Sequence, residues 1–505
     1  MTTVLAIDQS TSATKVLLFD DSGNRLDRES MEHEQHYPQP GGVEHDAEEI
    51  WRNLLSVAET LLKRNADNVD DIACLSLTNQ RETIVVFDRE TGKPLYPAIV
   101  WQCRRSAEIC DAHEAAGNGT LIHERTGLRP DAYFSGSKLQ WMVENQPGLA
   151  DKLASGDALV GTIDAYLVYR LTSGKVFATD STNASRTLLF DIGNLKWDDE
   201  LCALFKVPSQ ALPEVRESAS HFGETDLGGV LAKPVPIVGV MGDSQAALFA
   251  QRCFEPGTAK VTFGTGSSVL LNIGAEMKLS EAGVVTALAW VYNNKPVYAF
   301  EGIIINSAAT LKWLQKQIGL FRDIEELDEL ARDVDDSGGV HLVPAFSGLG
   351  LPHWSPGARA AITGLSDHSD RRHIARAAVE SMAYQLRDAL DAMQAESGVS
   401  LNLVNADGGP TANDLLMQFT ADITNTEIVV PQVPDCSPLG AAMMGMLGCG
   451  VYESLEAISG LAHDSRKFRP KMSPAMAKDH HDGWRMAVRQ VLAGVNKQHS
   501  PEKDQ

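Results

Sequence analysis

Short apolar runs alternate with amphipathic stretches along most of this chain. Continuous apolar runs of about four to eight residues are typical of buried strands, and apolar residues three or four positions apart are typical of helices. The predicted strands lie at residues 4–7, 16–19, 72–77, 236–240, 297–300 and 403–407. The predicted helices lie at residues 50–58, from 246 onward, at about 307–318 and at 374–396, the last of them ended by Gly398.

Two turns of small and hydroxyl residues, about half a chain apart, resemble each other. Residues 8–15 have the sequence DQSTSATK and precede the strand at 16–19, and residues 264–268 have the sequence GTGSS and precede an apolar segment that begins at Val269. Small side chains let backbone N–H groups approach an anion, and the hydroxyls add donors. Two such turns facing each other across a cleft would clamp a polyphosphate. The alternative is a pair of ordinary hairpin turns.

Strands alternate with helices in both halves, which predicts an α/β protein of two related lobes. A chain of 505 residues also exceeds what one hydrophobic core usually supports. We place the boundary just after the helix that starts at 246, so that the lobes comprise residues 1–254 and 255–505. The charged tail after about Phe468 is predicted to be peripheral, with its last few residues frayed.

The charge of the chain narrows its possible partners. Lys and Arg number 44 against 67 Asp and Glu, a formal net charge of −23, which disfavours binding to nucleic acid or anionic membranes. An anionic ligand therefore needs a local electropositive site. The chain has no apolar run of the ~20 residues that span a bilayer and no evident signal peptide. Its seven cysteines lack zinc-site spacing, so reduced thiols in the cytoplasm are expected.

Two aspartates follow predicted strands directly. Asp8 comes before the first turn, where a carboxylate can hold Mg²⁺ beside phosphates, usually through water. The alternative for Asp8 is to cap its own turn. Asp243 follows the strand at 236–240 and precedes a helix, so it is either a helix cap or a general base aimed into the crevice where α/β sheets bind ligands.

Polar and aromatic residues in the loops of the first half suit a polyol. Arg81 and Glu82 follow the strand at 72–77, and Trp101 and Tyr133 lie in polar loops. Arg offers five N–H donors in a fixed fork and Glu accepts, which matches a molecule whose handles are vicinal hydroxyls. The alternative for Arg81 and Glu82 is a surface ion pair. A P-loop, a protein-kinase motif set and a complete dinucleotide fingerprint are all absent from the sequence.

Several motifs together resemble the FGGY family of carbohydrate kinases, most closely its glycerol kinases. They are NQRE at 79–82, WQCRR at 101–105, YFSG at 133–136, TNASRT at 182–187, GD at 242–243, FSGLG at 346–350 and DGG at 407–409. Two longer family motifs match residues 133–145 and 360–380. The similarity runs in order from about residue 4 to 490. It implies two actin-like lobes, each built on a ribonuclease-H-like sheet, with ATP and substrate in the cleft between them.

The resemblance also implies roles for individual residues. Those expected to bind nucleotide are Thr11, Ser12, Ala13, Lys15 and Thr265 at the phosphates, Gly409 and Asn413 at the adenine and ribose, and Ala308 and Lys312 nearby. Asp8 and Asp243 are expected beside Mg²⁺. Those expected to bind the polyol are Arg81, Glu82, Tyr133 and Asp243, with Trp101 packing on the carbon chain. Homo-oligomers, dimers or tetramers, are also implied.

The sequence departs from the glycerol kinase pattern at the substrate pocket. Ser244 replaces the usual Gln after the catalytic Asp, and Ser268 replaces the usual Phe that walls the carbon chain. On the nucleotide side, Lys15 replaces Arg, Ala308 replaces Gly and Lys312 replaces Gln. The two serines predict more room and two additional hydroxyls at the pocket.

The expected reaction is transfer of the γ-phosphoryl group of ATP to a primary hydroxyl of a small polyol, with Asp243 as the base. Glycerol is the leading substrate because the sequence keeps every polyol-binding residue that the resemblance implies: Arg81, Glu82, Trp101, Tyr133 and Asp243. A four- or five-carbon polyol or ketose, of the erythritol, erythrulose or xylulose type, is the alternative that Ser244 and Ser268 favour. An alternative of another class is an actin-like ATP-binding assembly or regulatory protein, since one fold supports many functions.

Overall fold

The computed structural model describes residues 2–432, 435–461 and 464–498. Its strands, in chain order, are β1 Thr3–Gln9, β2 Ala13–Asp20, β3 Arg25–Glu32, β4 Glu44–His45, β5 Ile72–Asn79, β6 Ile84–Asp88, β7 Ala98–Ile99, β8 Ala158–Thr162, β9 Ala178–Asp180, β10 Phe190–Asp191, β11 Lys196–Trp197, β12 Glu214–Arg216, β13 His221–Thr225, β14 Val235–Gly242, β15 Thr258–Phe263, β16 Ser267–Gly274, β17 Val285–Tyr292, β18 Lys295–Ile304, β19 His341–Val343, β20 Ala361–Thr363, β21 Leu403–Asp407, β22 Ile428–Pro431 and β23 Ser465–Phe468.

The α-helices are α1 Ala47–Arg64, α2 Ala107–Ala115, α3 Gly119–Thr126, α4 Ser135–Asn145, α5 Leu149–Ser155, α6 Ile163–Leu171, α7 Ser181–Ala184, α8 Asp199–Leu204, α9 Asp243–Ala250, α10 Ala309–Trp313, α11 Ile324–Arg332, α12 Arg371–Ser397, α13 Asp414–Thr424, α14 Cys436–Gly448, α15 Leu455–Ser459 and α16 Pro474–Gln498. Three 3₁₀ segments, Ala66–Asp71, Ser209–Ala211 and Gly409–Ala412, connect them. In the described ranges, no helix is both long and apolar enough to cross a membrane.

Two large sheets repeat one arrangement of strands. The first has the order β13-β14-β5-β1-β2-β3, and the second has the order β17-β18-β16-β15-β21-β22-β23. In each, an antiparallel hairpin (β1–β2 or β15–β16) carries another antiparallel strand on one side and a parallel strand (β5 or β21) on the other. The α/β class, the strand after each of the two turns and all six predicted strands are thereby confirmed.

Helices α9 and α14 pack against each other where the two halves meet. Helix α14, from the second half, also covers β1, β5 and β14 of the first sheet. The two helices approach so closely that a Cβ atom on Gly440 would stand 1.8 Å from the carbonyl oxygen of Ala246. Residues of both halves, such as Phe249 and Met443, share one hydrophobic cluster at this junction. The chain passes from α9 to β15 between Ala250 and Thr258; the division at 254/255 stays a prediction.

Two sequence predictions about the second half need correction. The helix predicted at 307–318 is the shorter α10 followed by a π-helical turn, Leu314–Ile318, which ends at Gly319 in the left-handed region (φ 69°). The tail after Phe468 is not peripheral, because α16 places Trp484 in the core, where its ring stacks on Tyr384 with centroids 5.2 Å apart. Its charged residues concealed this apolar anchor. The frayed end predicted for the last residues concerns positions 499–505, outside the described residues.

A buried pair of aspartates supports the short helix α7 behind the cleft. Asp180 caps α7 and accepts hydrogen bonds from the backbone N–H groups of Thr182 and Asn183 and from the Ser218 hydroxyl. Asp164, fully buried beside it, accepts a hydrogen bond from Thr179 at 2.6 Å. Burial, with a smaller contribution from the charge of Asp180, raises the pKa of Asp164 to about 7.

This raised pKa predicts a loss of stability with rising pH. In the unfolded chain Asp164 ionises near the ordinary aspartate pKa of 3.8, whereas in the folded protein it stays protonated to about pH 7. Between these values the unfolded state binds fewer protons, so the free energy of unfolding falls as pH rises through the window, by on the order of 4 kcal/mol from this group. Asp164→Asn should reduce the difference between melting temperatures measured at pH values of about 4.5 and 7.5, which lie near the two ends of that window. The exposed Asp151→Asn should leave that difference as in the wild type; equal effects of the two would contradict the assignment.

Candidate active site

A cavity of about 840 Å³ opens where the two repeated hairpins and α9 meet. The predicted site residues that line it are Asp8, Lys15, Asp243, Ser244, Ser268 and Gly409. Lys260, Thr262 and Asp407 of the second sheet line it as well. Both lobes therefore contribute to one cavity, and it contains charged groups of both signs.

Asp8 and Lys15 face each other across the first hairpin. They are paired in the register of β1 and β2, and Lys15 Nζ donates to Asp8 Oδ2 at 2.7 Å. Burial raises the pKa of Asp8, Lys15 opposes this rise, and the nearby charge of Asp243 adds to it. The alternative that Asp8 caps its own turn is therefore wrong, since its side chain is held by a lysine across the hairpin.

The first turn itself lies beside the cavity-lining residues. Ser10 closes it, with its backbone N–H and its hydroxyl both donating to the carbonyl of Ala13. Thr11 accepts a hydrogen bond from the indole N–H of Trp101 at 3.0 Å, and Ser12 is exposed. Trp101, a predicted polyol residue, is thus fixed by a predicted phosphate residue.

The second turn is held by the start of α10. The carbonyl of Gly264 accepts from the N–H of Ala308, and the carbonyl of Thr265 accepts from Ser307 and Ala309. A Cβ atom on Gly266 would lie 2.6 Å from the carbonyl oxygen of Ile304, so a larger residue would displace the neighbouring strand. These contacts place Ala308 against the turn.

The remaining predicted nucleotide residues lie in different surroundings. Gly409 lines the cavity, at the start of the 3₁₀ segment after β21. Asn413 caps α13, accepting from the N–H of Leu416 at 3.0 Å, and its amide donates to Asp328. Lys312 is exposed on α10. Neither Asn413 nor Lys312 lines the cavity in the described structure.

Asp243 is the first residue of α9 and not its cap. The cap position belongs to Gly242, whose N–H donates to the Thr182 hydroxyl at 2.8 Å. Asp243 Oδ1 lies 3.3 Å from Arg81 Nε and accepts from the N–H of Ser244. Its side chain is 38% exposed into the cavity. The helix-cap alternative is wrong, and the carboxylate is free to face a ligand.

Arg81 belongs to a buried cluster of charges and not to a surface ion pair. Arg81 Nη2 contacts Glu301 Oε1 at 2.7 Å, Arg186 Nη1 contacts Glu301 Oε2 at 2.7 Å, and Arg186 Nε donates to Glu82 Oε1 at 2.6 Å. All four side chains are at most 5% exposed. Glu82 has a backbone φ of +61°, an uncommon conformation that persists only where surrounding contacts impose it.

The cluster contains one more negative than positive group. Two arginines face three carboxylates, Asp243 included. Burial opposes ionisation of Glu301, but Arg186 and Arg81 together lower its pKa to about 2. Burial raises the pKa of Glu82 against the opposing effect of the same arginines. Because Glu301 occupies the arginines most fully, Asp243 is the member left available to a substrate hydroxyl.

Two aromatic rings complete the polyol side. Trp101 and Tyr133 make an edge-to-face contact, with centroids 5.4 Å apart and planes at 62°. Burial, reinforced by the charge of Glu82, raises the pKa of Tyr133, so its phenol stays neutral and can donate a hydrogen bond. The predicted polyol residues of the first lobe therefore lie together.

Sequence reasoning missed three charged residues of this region. Arg186 lies within the motif at 182–187, which does not by itself indicate a role for it. Glu301 and Lys260 are each the one charged residue within an apolar stretch of strand, VYAFEGII and TAKVTF. An isolated charge in a buried strand is costly unless paired or functional. That signal was available in the sequence.

The carboxylates of the cavity decide whether the expected Mg²⁺ could bind there. Among the described residues, no group of three or more His, Cys, Asp or Glu could hold a metal ion. Asp8 and Asp243 nevertheless line the same cavity, and Asp243 is near enough for its charge to contribute to the raised pKa of Asp8. Mg²⁺ in phosphoryl-transfer sites keeps several waters and takes one or two carboxylates besides phosphate oxygens. These two residues fit such an ion.

Comparison with known proteins identifies the family. The FGGY family of carbohydrate kinases matches residues 3–250 with its N-terminal domain and 259–449 with its C-terminal domain. The chain belongs to the FGGY family of carbohydrate kinases. It is 45% identical to a glycerol kinase of Desulfitobacterium hafniense over 489 residues, 97% of this chain and 99% of that one.

Solved structures support the same assignment. A Plasmodium falciparum glycerol kinase determined with ADP superposes on this FGGY kinase with a TM-score of 0.92 at 37% identity, covering 97% of this chain and 98% of the other. A xylulose kinase of Rhodospirillum rubrum, 21% identical, has a TM-score of 0.86 over 98% of this chain and all of its own, and shows the shared fold. The predicted two-lobed, actin-like architecture is confirmed.

The cluster predicts a specific effect of Glu301→Gln. The amide cannot neutralise two buried arginines, so Arg81 should lose its fixed orientation toward Asp243. We expect a loss of about 3 kcal/mol or more in stability, as for other buried pairs deprived of one partner, and at least a roughly tenfold lower kcat/KM for the polyol. Denaturant unfolding and steady-state kinetics measure the two effects. The exposed Glu276→Gln on the same lobe is the control, and similar values for both variants would contradict a role for the cluster.

Proposed function

We propose that this FGGY kinase transfers the γ-phosphoryl group of ATP to a primary hydroxyl of glycerol. One observation carries the proposal most strongly: Asp243 borders both the cavity between the hairpins and the buried cluster that fixes Arg81. A carboxylate in that position is within reach of a polyol on one side and a nucleotide on the other. The similar proteins named glycerol kinase support glycerol as the substrate.

Each part of the site has a role in the proposed reaction. Arg81, Glu82 and Tyr133 bind the hydroxyls, and Trp101 packs on the carbon chain. Asp243 orients the primary hydroxyl and accepts its proton as the new oxygen–phosphorus bond forms. Thr11, Ser12, Ala13, Lys15 and Thr265, with the backbone of both turns, bind the phosphates. The family resemblance assigns Gly409, Asn413, Ala308 and Lys312 to the nucleoside side, and of these four Gly409 lines the cavity of the described structure. Positioning supplies much of the rate, because the transition state of phosphoryl transfer is loose.

Mg²⁺ would be held by Asp8 and Asp243, where it would neutralise charge on the phosphates. Lys15 donates a hydrogen bond to Asp8, so the residue proposed to bind phosphate lies beside the residue proposed to hold Mg²⁺. Closure of the lobes around the ligands would exclude water and limit hydrolysis of ATP.

A longer polyol or ketose is a second candidate substrate, favoured by Ser244 and Ser268. Both serines line the cavity, and the hydroxyl of Ser268 is buried with no hydrogen-bond partner in the described structure. An additional substrate hydroxyl would satisfy it. Sites that hydrogen-bond a substrate hydroxyl discriminate strongly against analogues that lack it.

Replacing the proposed base should abolish most turnover. Asp243→Asn keeps the shape of the side chain and removes its basicity, so kcat should fall by about 10²-fold or more. The Kd for ATP should change by less than about threefold, measured by calorimetry. The exposed Asp226→Asn serves as the matched control. Retention of more than about a tenth of kcat, a change of only ~1.4 kcal/mol, would remove Asp243 from this role.

A substrate panel tests the choice of polyol. ATP consumption is measured with glycerol, dihydroxyacetone, erythritol, erythrulose and xylulose, and glycerol should give the highest kcat/KM. Ser268→Phe should narrow the pocket, keeping activity toward glycerol while reducing activity toward four- and five-carbon compounds. A longer compound that exceeds glycerol in wild type would replace glycerol in the proposal by the second candidate.

Other aspects of the proposal follow from the family. ATP turnover that requires an added polyol distinguishes the kinase from an actin-like assembly or regulatory protein. The described cysteines form no disulfide, which supports a reducing compartment such as the cytoplasm. A dimer or tetramer stays a prediction, to be tested by light scattering.

A further inference from the structure

Lys260 is a buried cation of the cavity that the mechanism above does not use. It lies in β15, is 2% exposed, and lines the same cavity as Asp8 and Asp243. Thr262, two residues on, shares its face of the sheet, as alternate residues of a strand do. The side chain extends toward Thr262, because its ammonium donates to the Thr262 hydroxyl at 2.9 Å.

Lys260 has a counter-charge nearby but none in contact among the described residues: its charge helps to lower the pKa of Glu301, which itself contacts Arg81 and Arg186. Within the described parts of the chain, no carboxylate oxygen lies within the 4.0 Å of an ion pair from its Nζ. The Thr262 hydroxyl satisfies one of its three N–H donors. Two other lysines have more partners for their ammonium groups. Lys15 is paired with Asp8 at 2.7 Å, and Lys138 donates to three backbone carbonyls at 2.6, 2.6 and 3.0 Å.

A buried ammonium whose one hydrogen-bond partner is neutral is costly, since Glu301 does not contact it and is already paired with two arginines. The cost falls if an anion occupies the cavity. A phosphate group brings both the missing charge and several acceptor oxygens, whereas a neutral polyol brings no charge. The arrangement therefore selects an anionic ligand next to Lys260.

The register of the sheet tells which part of a nucleotide would lie there. Thr262, at the tip of Lys260, pairs with Ser268 on β16 and with Asp407 on β21. Ser268 belongs to the polyol end of the cavity, and Asp407 directly precedes the turn that contains Gly409 at the nucleotide end. The ammonium thus lies beside a residue set between Ser268 and Asp407, and in the proposed function the phosphoryl group moves between the ends that these two residues mark.

We propose that Lys260 is a catalytic residue that donates hydrogen bonds to the transferring phosphoryl group. The inference rests on the proposed function. In the step, the bond between the γ-phosphorus and the β–γ bridging oxygen breaks, the polyol oxygen bonds to that phosphorus, and the hydroxyl proton passes to Asp243. Lys260 keeps its own proton throughout and stabilises charge on the phosphoryl oxygens and on the departing ADP oxygen.

Lys260→Met tests the inference, because methionine has a similar length and no charge. We expect kcat to fall by about 10²-fold, as when a preorganised donor is removed from a transition state, with the polyol KM changed by less than about threefold. The melting temperature of the unliganded variant should equal or exceed that of wild type, since a buried charge that no described carboxylate contacts is gone. The upward shift of melting temperature caused by a non-hydrolysable ATP analogue should shrink, while the shift caused by AMP should persist.

Lys138→Met provides the structural comparison. It removes a buried lysine whose donors are all satisfied, and should lower the melting temperature of the unliganded protein. If Lys260→Met also lowers that temperature, Lys260 is a structural residue and the inference is wrong. Retention of more than about a third of kcat by Lys260→Met would equally overturn it. Failure of wild type to phosphorylate any member of the polyol panel would instead refute the proposed function, so the two failures are distinguishable.

Discussion

The need to pair buried charges governs the architecture of this site. Arg81 and Arg186 come from the first half of the chain, and Glu301 of β18 contacts both at 2.7 Å from the second half. A buried guanidinium without a counter-charge is strongly destabilising, so the contacts that orient Arg81 also join the two halves at this point. The polyol side of the cleft depends on this bridge, because Arg81 in turn lies against Asp243.

On the proposed nucleotide side, by contrast, not every buried charge has a contacting counter-charge among the described residues. There, Lys260 is buried with a single hydroxyl as its partner, and Asp8 is bonded to a lysine that a phosphate would attract. Arginines and carboxylates in direct contact hold the proposed polyol pocket in place, whereas a lysine that no described carboxylate contacts creates affinity for an anionic ligand. The two ends of the cavity therefore differ in what they require from their ligands, which suits an enzyme that joins a neutral molecule to a charged one.

Particular residues show how far the sequence led. The turns at residues 8–15 and 264–268 and the strands that follow them were predicted correctly, because apolar strands and small turn residues are local signals. Arg81, Glu82, Trp101 and Tyr133 were placed together through the family resemblance. Roles for Arg186, Glu301 and Lys260 were not predicted from the sequence. The charged partners of Arg186 and Glu301 are distant in the chain, and the cavity that Lys260 lines exists only in the folded protein. The burial of Trp484 was not predicted either, because most residues around it in the sequence of this helix are charged or polar.

The sequence by itself determined the α/β class, the repeated turns with the strands that follow them and the candidate reactive carboxylate, because strand periodicity and turn chemistry depend on neighbouring residues. Tertiary structure alone decided whether each charge is a surface pair, a cap or a functional group. Asp243 is available to a ligand for two reasons. Gly242 takes the cap position of α9, and Arg81 is paired with Glu301, which lies 220 residues away in the sequence. Burial and long-range pairing set the energy of a charge, and neither is encoded in its local sequence.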